Sequence, residues 1–135
     1  MLWNVQTRPG WDFALATMNT GVTPNKEFFV APLSSLSEKI VPWRKIVAFD
    51  DEVSEVSIQG DDLFVMTYKN TPRYKILRTS LKKPDWGRAE AVFPASAAVV
   101  FRMAAQTDAL YVTTLEAGNY RTYRVDYRTK KSERL

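Results

Sequence analysis

One phrase recurs along this 135-residue chain at a nearly constant interval, and that interval limits the fold more than any other feature. The middle copy reads Gln59-Gly60-Asp61-Asp62-Leu63-Phe64-Val65-Met66-Thr67, and the last reads Gln106-Thr107-Asp108-Ala109-Leu110-Tyr111-Val112-Thr113-Thr114. Gln59 and Gln106, Leu63 and Leu110, and Thr67 and Thr114 are each 47 positions apart. A looser first copy, Gly10-Trp11-Asp12-Phe13-Ala14-Leu15-Ala16-Thr17, stands about 50 positions before the middle one. The next run repeats too. Tyr74-Lys75-Ile76-Leu77-Arg78-Thr79-Ser80-Leu81 precedes Tyr120-Arg121-Thr122-Tyr123-Arg124-Val125-Asp126-Tyr127 by 46 positions, and Phe28-Phe29-Val30-Ala31-Pro32-Leu33 takes the equivalent place in the first copy.

These runs are rich in Val, Ile, Phe, Tyr and Thr, which suit a pleated, half-buried surface. Further β-prone runs, Trp43 to Phe49 and Ala89 to Pro94, lie between copies, each followed by a turn and another strand (Val53 to Ile58, Val99 to Ala104). Gly60, Gly118, Asn70-Thr71-Pro72 and Thr23-Pro24-Asn25 supply turn chemistry. Thr67 to Leu81 reads as two strands about a polar, Pro-containing turn, and Leu33 to Ile40 is the one short stretch with a helical period. The predicted fold is therefore all-β, about three four-stranded antiparallel blades of a β-propeller. Its blade-like repeats fall roughly at 1–49, 50–95 and 96–135 within a single partial propeller domain. A β-sandwich would explain the strands but not their spacing. Trp11-Asp12, the dipeptide that names one large propeller family, precedes the second strand of its copy and lacks a Gly-His pair before it, so it reads as coincidence.

Composition excludes whole classes of chemistry. The chain has no histidine and no cysteine. Ser–His–Asp or Cys–His catalysis needs an imidazole to take and return a proton, and most catalytic zinc sites need one as a ligand. Neither route is open within these residues, no thiolate metal site or disulfide can form, and no cofactor or metal is expected. Nineteen basic and 15 acidic residues give a net charge of +4, spread along the chain with local crowding at Lys82-Lys83 and Arg128 to Lys131. Nucleic-acid binders usually cluster their charge on one face, so a solvated basic surface is expected and nucleic acid is not. No run approaches the ~20 apolar residues of a membrane helix. Met1-Leu2-Trp3-Asn4-Val5 lacks the basic start and apolar core of a signal peptide, which predicts a cytoplasmic protein, or a periplasmic one if an export signal lies upstream.

The middle copy resembles the propeller domain of the prolyl oligopeptidase family of serine peptidases. The resemblance is carried by Gly60-Asp61-Asp62-Leu63-Phe64, Thr67-Tyr68-Lys69-Asn70 and Pro72 to Leu81, continuing through Pro84-Asp85-Trp86 and Ala89 to Pro94. It runs through most of Trp43 to Tyr127. In that family a seven-bladed propeller covers a C-terminal α/β-hydrolase domain, whose Ser–Asp–His triad sits on a Gly-x-Ser-x-Gly elbow and cuts short peptides after proline. This chain has no Gly-x-Ser-x-Gly and no His, so the resemblance implies no catalytic residue at any position here. It implies a non-catalytic propeller fragment: a lid and tunnel limiting access to the active site, with the parent's hydrolase domain as its partner. The alternative is a stand-alone module that binds a peptide or protein on a propeller-like scaffold.

The remaining candidates have structural readings beside the functional ones. Ser34-Ser35 and Ser96 are loop serines with no base to activate them, and Asp50-Asp51-Glu52 and Asp61-Asp62 fall at turns, where Asp bonds its own backbone. Arg73, Lys75 and Arg78 are expected to cover aromatic neighbours and bridge to the next blade, with an anion site as the rival. The first strand of a blade lines the central channel, which makes Ser57 and Arg102 the channel-lining candidates. Three blades do not close a ring, so self-association through exposed blade faces is expected.

Overall fold

The computed structural model describes residues 2–19, 21–93, 96 and 98–135, with the backbone alone at residues 2 and 3. The described strands run in chain order as β1 (Leu2–Gln6), β2 (Phe13–Asn19), β3 (Glu27–Pro32) and β4 (Arg44–Val47); β5 (Val53–Gln59), β6 (Asp62–Thr67), β7 (Lys75–Ser80) and β8 (Glu90–Phe93); and β9 (Val99–Ala105), β10 (Leu110–Glu116), β11 (Asn119–Val125) and β12 (Ser132–Arg134). They form three separate four-stranded sheets in the orders β1-β2-β3-β4, β5-β6-β7-β8 and β9-β10-β11-β12. Each is an antiparallel meander whose neighbours in space are neighbours in sequence. This is the blade topology of a propeller and not the two facing sheets of a sandwich. The described residues hold no α-helix. The helical stretch expected at Leu33 to Ile40 is only a 3-10 turn, Leu33–Ser35. No helix among them is long and apolar enough to cross a membrane.

Strand pairing carries the sequence repeat into space. Leu63 opposes Thr79 in the second sheet and Leu110 opposes Val125 in the third, so the intervals of 47 and 46 positions meet at one register. The first two sheets also share a bulge. Phe28 opposes Val47 while Phe29 opposes Lys45, and Ile76 opposes Phe93 while Leu77 opposes Ala91. In each case the fourth strand carries one extra residue, Ile46 or Val92, and both are buried.

The expected strand–turn–strand run at Thr67 to Leu81 is present, its turn longer than Asn70-Thr71-Pro72. Only Thr67 belongs to the earlier strand, residues 68–74 form consecutive turns, and β7 begins at Lys75. Asn70 and Tyr74 take positive φ, 59° and 72°, while Thr71 N–H donates to Tyr68 O and Tyr74 N–H to Thr71 O. A strand cannot continue through left-handed residues.

By internal contacts the chain divides into Met1–Val53 and Ser54–Leu135. In the first unit, Lys26 N–H donates to Val53 O at 2.8 Å, and the buried Asn25 donates from its amide nitrogen to Phe49 O at 3.0 Å. Asp51 does the turn work expected of it, accepting the Ala48 N–H at 2.9 Å.

The second unit is two sheets packed face to face. Phe64, Met66, Ile76, Val92 and Phe93 of one meet Val100, Ala105, Leu110, Val112 and Val125 of the other in a single apolar cluster. Burying each large side chain is worth roughly 1.5–3 kcal/mol, so this cluster is the main cohesion of the pair. Tyr74, Met103, Tyr123 and Tyr127 pack around its margin. Period-2 alternation explains the third sheet's share: Leu110, Val112 and Thr114 are buried while Tyr111 and Thr113 between them are only half-buried. β6 is buried at every position from Leu63 to Thr67, as a strand covered on both faces must be, and its sequence is accordingly apolar without a break up to Met66.

Candidate functional site

The first strand of each sheet lies at a sheet edge, and an edge strand leaves alternate backbone groups without a ladder partner. In β9 two of these groups are satisfied by the second repeat, one by the turn before β7 and one by β5. Val100 N–H donates to the carbonyl of Arg73 at 3.0 Å. Ala105 N–H donates to the Ser57 hydroxyl at 2.8 Å. Ser57 lies in β5, so its hydroxyl links the first strands of two adjacent sheets. A buried amide is thereby spared the ~1–3 kcal/mol cost of having no acceptor.

Between those two tethers β9 bulges. Thr113 opposes Arg102 and Thr114 opposes Val100, which leaves Phe101 as the extra residue. The bulge re-aims its side chain. The Phe101 ring lies 5.2 Å from the ring of Tyr120, tilted by 55°, and the Arg102 guanidinium sits 5.4 Å from the Phe101 ring centre. Phe101 is 48% exposed and Tyr120 62%. Ser57 and Arg102 both lie on first strands, but no hydrogen bond or ion pair joins them among the described residues. Ser57 is half-buried and bonded to the backbone, whereas Arg102 is exposed and stacked on a ring.

The other candidates resolve into local chemistry. Ser35 is buried and donates to Pro32 O at 2.6 Å, and Ser96 accepts the Ala98 N–H at 3.2 Å. Asp61 accepts the Ser80 hydroxyl at 2.6 Å and the Lys82 N–H at 2.9 Å. The Ser80 hydroxyl above all holds the Asp61 carboxyl below its usual range; burial opposes it, and the Lys82 amide and charge add to the lowering. This Ser–Asp pair escaped the sequence reading because its members are 19 positions apart, and with no imidazole beside it to activate the hydroxyl the pair closes a loop. The expectation that Arg78 bridges to the next blade is corrected. Its guanidinium pairs with Asp62 at 2.5 Å on the adjacent strand of its own sheet, because Arg78 and Phe64 are directly opposed and Asp62 is the diagonal neighbour.

A second polar group sits on the third sheet. Glu116 accepts hydroxyls from Thr114 and Tyr123, both at 2.8 Å, and these two bonds hold its carboxyl below the usual range while pushing the Tyr123 phenol up. No group of three or more His, Cys, Asp or Glu side chains that could hold a metal occurs among the described residues.

No family model and no curated protein matches the sequence. Solved structures do. Prolyl oligopeptidase B from Galerina marginata, without ligand, superposes with a TM-score of 0.78 over 99% of this chain at 16% identity. A mutant of the same enzyme bound to a 35mer hydrolysis and macrocyclization substrate gives the same values. A prolyl endopeptidase from a study of inter-domain dynamics in catalysis and specificity superposes at 0.78 over 98% of this chain with 15% identity. The chain spans 19% of the length of each of these proteins. The sequence resemblance and the backbone therefore agree on one fold: this all-β chain of three four-stranded sheets resembles a fragment of the β-propeller domain of prolyl oligopeptidases.

Proposed function

We propose that the chain is a non-catalytic propeller segment of a prolyl oligopeptidase-like serine endopeptidase, and that its sheets form part of a lid and passage admitting short peptides to a hydrolase domain. The observation that carries this reading is the superposition of nearly the whole chain on about a fifth of such enzymes. The edge position of β1, β5 and β9 supports it, since the first strand of a blade lines the channel. Arg102, exposed on β9, is the residue proposed to face the passage. Ser57 acts there by fixing β5 to β9. With no histidine and no nucleophile elbow, the segment supplies access control and no bond-breaking chemistry.

Two assays test the proposal. The purified chain is expected to leave a proline-containing chromogenic peptide uncut, and turnover by clean protein overturns the non-catalytic reading. Mixed with a separately produced prolyl oligopeptidase hydrolase domain, it is expected to bind and to slow a long peptide more than a short one with the same cleavage site. Equal effects on both, or no binding, overturn the access role.

A further inference from the structure

In two successive repeats the turn leading into the third strand is bonded to the start of the following first strand. Lys26 N–H donates to Val53 O at 2.8 Å, and Val100 N–H donates to Arg73 O at 3.0 Å. Val53 and Val100 lie at the start of β5 and β9, are both buried, and stand 47 positions apart, the interval of the repeat. The two straps differ in what supports them. In the second repeat the turn carries Tyr74, whose ring packs against the apolar cluster and meets Tyr68 edge-on, centroids 5.7 Å apart. In the first repeat residues 21–24 are exposed, and Asn25 is the one buried residue of 21–26, at 5% exposure.

Burial leaves the Asn25 amide half satisfied. Its Nδ2 donates to Phe49 O at 3.0 Å, while Oδ1 is buried with no donor among the described residues. The reverse orientation of the amide would set Oδ1 against the Phe49 carbonyl, two acceptors face to face, so turning the group offers no remedy. Phe49 O has a second donor, the Glu52 N–H at 3.2 Å, and does not depend on Asn25. The strap thus gains one modest hydrogen bond at Nδ2 and bears the cost of a dehydrated acceptor at Oδ1, which is of at least similar size. Opening restores water to Oδ1. No apolar side chain of residues 21–26 is buried to oppose it.

We propose that residues 21–26 form a releasable strap on the start of β5, one that opens ahead of global unfolding while its counterpart in the second repeat opens only with the fold around it. The buried Asn25 oxygen sets the bias toward release, and the Lys26–Val53 bond is the contact that release breaks. The β2–β3 ladder stays intact, because its last pair, Met18 and Glu27, lies outside the strap. Release therefore uncovers the first residue of β5 without unravelling the sheet that carries the turn. The inference concerns local opening and does not rest on the passage role.

Native-state amide exchange of the whole 135-residue chain is the test. Lys26 N–H is expected to be at least about tenfold less protected than Val100 N–H, with protection that low denaturant concentrations leave unchanged, the mark of a small local opening. Asn25→Leu exchanges the amide for an apolar group of similar size, which removes the unpartnered oxygen while Phe49 O keeps the Glu52 N–H. It should raise Lys26 protection about tenfold relative to that of Val100. Protection of Lys26 that Asn25→Leu lowers or leaves unchanged overturns the proposal, since Oδ1 would then have a partner, such as a bound water, that holds the turn shut. Equal protection of the two amides in the parent chain overturns it as well, and that comparison depends on no variant being able to fold.

Discussion

The ring of Tyr127 lies on the ring of Phe64, centroids 5.7 Å apart and planes inclined by 23°, although Phe64 belongs to the second sheet and Tyr127 to the turn that ends β11 of the third. Its hydroxyl donates to the carbonyl of Ala109 at 2.9 Å and reaches that of Gln106 as well. One side chain thus fastens the turn to its own sheet through oxygen and to the neighbouring sheet through carbon. Lys130 in the same turn adds an ion pair to Glu90, at 3.8 Å.

Removing that hydroxyl separates the two functions. Burial above all, helped by Asp108 and Asp62, pushes the Tyr127 hydroxyl up to about 12 from its ordinary 10.0. A raised folded-state value means the protonated form is the one the fold favours. Its contribution is complete below pH 10 and is lost as pH rises through 12. Tyr127→Phe should therefore cost about 1 kcal/mol at neutral pH, with ring stacking retained. Urea titrations of both proteins at successive pH values check this: the gap between them is expected to narrow from pH 10 upward, and a gap independent of pH refutes the assignment.

Ser57→Ala deletes the acceptor for the Ala105 amide. Ala105 is buried, so its N–H cannot turn to water in place. The expected loss is about 1–3 kcal/mol, read as a lower urea midpoint at unchanged slope. Amide exchange at Ala105 should accelerate while that at Leu63, in the middle of the second sheet, changes only with global stability. Unaltered exchange at Ala105 would show that the hydroxyl is dispensable.

Ile76 is fully buried in the cluster between the second and third sheets, at the bulge position where it opposes Phe93. Truncation to Ala removes apolar contacts that both sheets share, and about 2–5 kcal/mol should be lost. Val22 is the contrasting case, 87% exposed, where Val22→Ala should shift stability by no more than about 0.5 kcal/mol. Thermal melting of the two variants beside the parent is the check, and comparable shifts would contradict the placement of the core.

The repeat was legible because it rests on side chains: Leu63 and Leu110 recur at one register and the apolar alternation around them names the strands. What stayed hidden rests on backbone. Tyr74, a bulky aromatic, gives no sign in sequence that it will take a positive φ and end a turn. β12 consists of Ser132, Glu133 and Arg134, all exposed, so no hydrophobic period announces it; its pairing follows from the turn at Asp126, whose carboxylate accepts the Arg128 and Thr129 amides. Ser57 and Arg102 could be assigned to first strands from spacing alone. The partner of Ser57 could not, because a backbone amide leaves no trace in composition. Phe101 was equally silent, since a bulge is one residue of register and any residue can occupy it.

The turn joining β10 to β11 offers a stabilising change. Ala117 and Gly118 are its two central residues, and both have positive φ, 49° and 82°. That combination belongs to the hairpin turn whose twist matches the flanking strands, and it favours Asn-Gly. Gly118 meets the demand without a side chain, and a Cβ there would find open space, so backbone conformation alone selects glycine. Ala117 pays a steric penalty that Asn, which tolerates the left-handed region, largely avoids. Ala117→Asn should raise stability by roughly 0.5–1 kcal/mol, and Gly118→Ala should lower it by at least as much. Chemical denaturation of the two variants decides the matter: a destabilised Ala117→Asn, or a neutral Gly118→Ala, would mean that this hairpin does not adopt the left-handed pair.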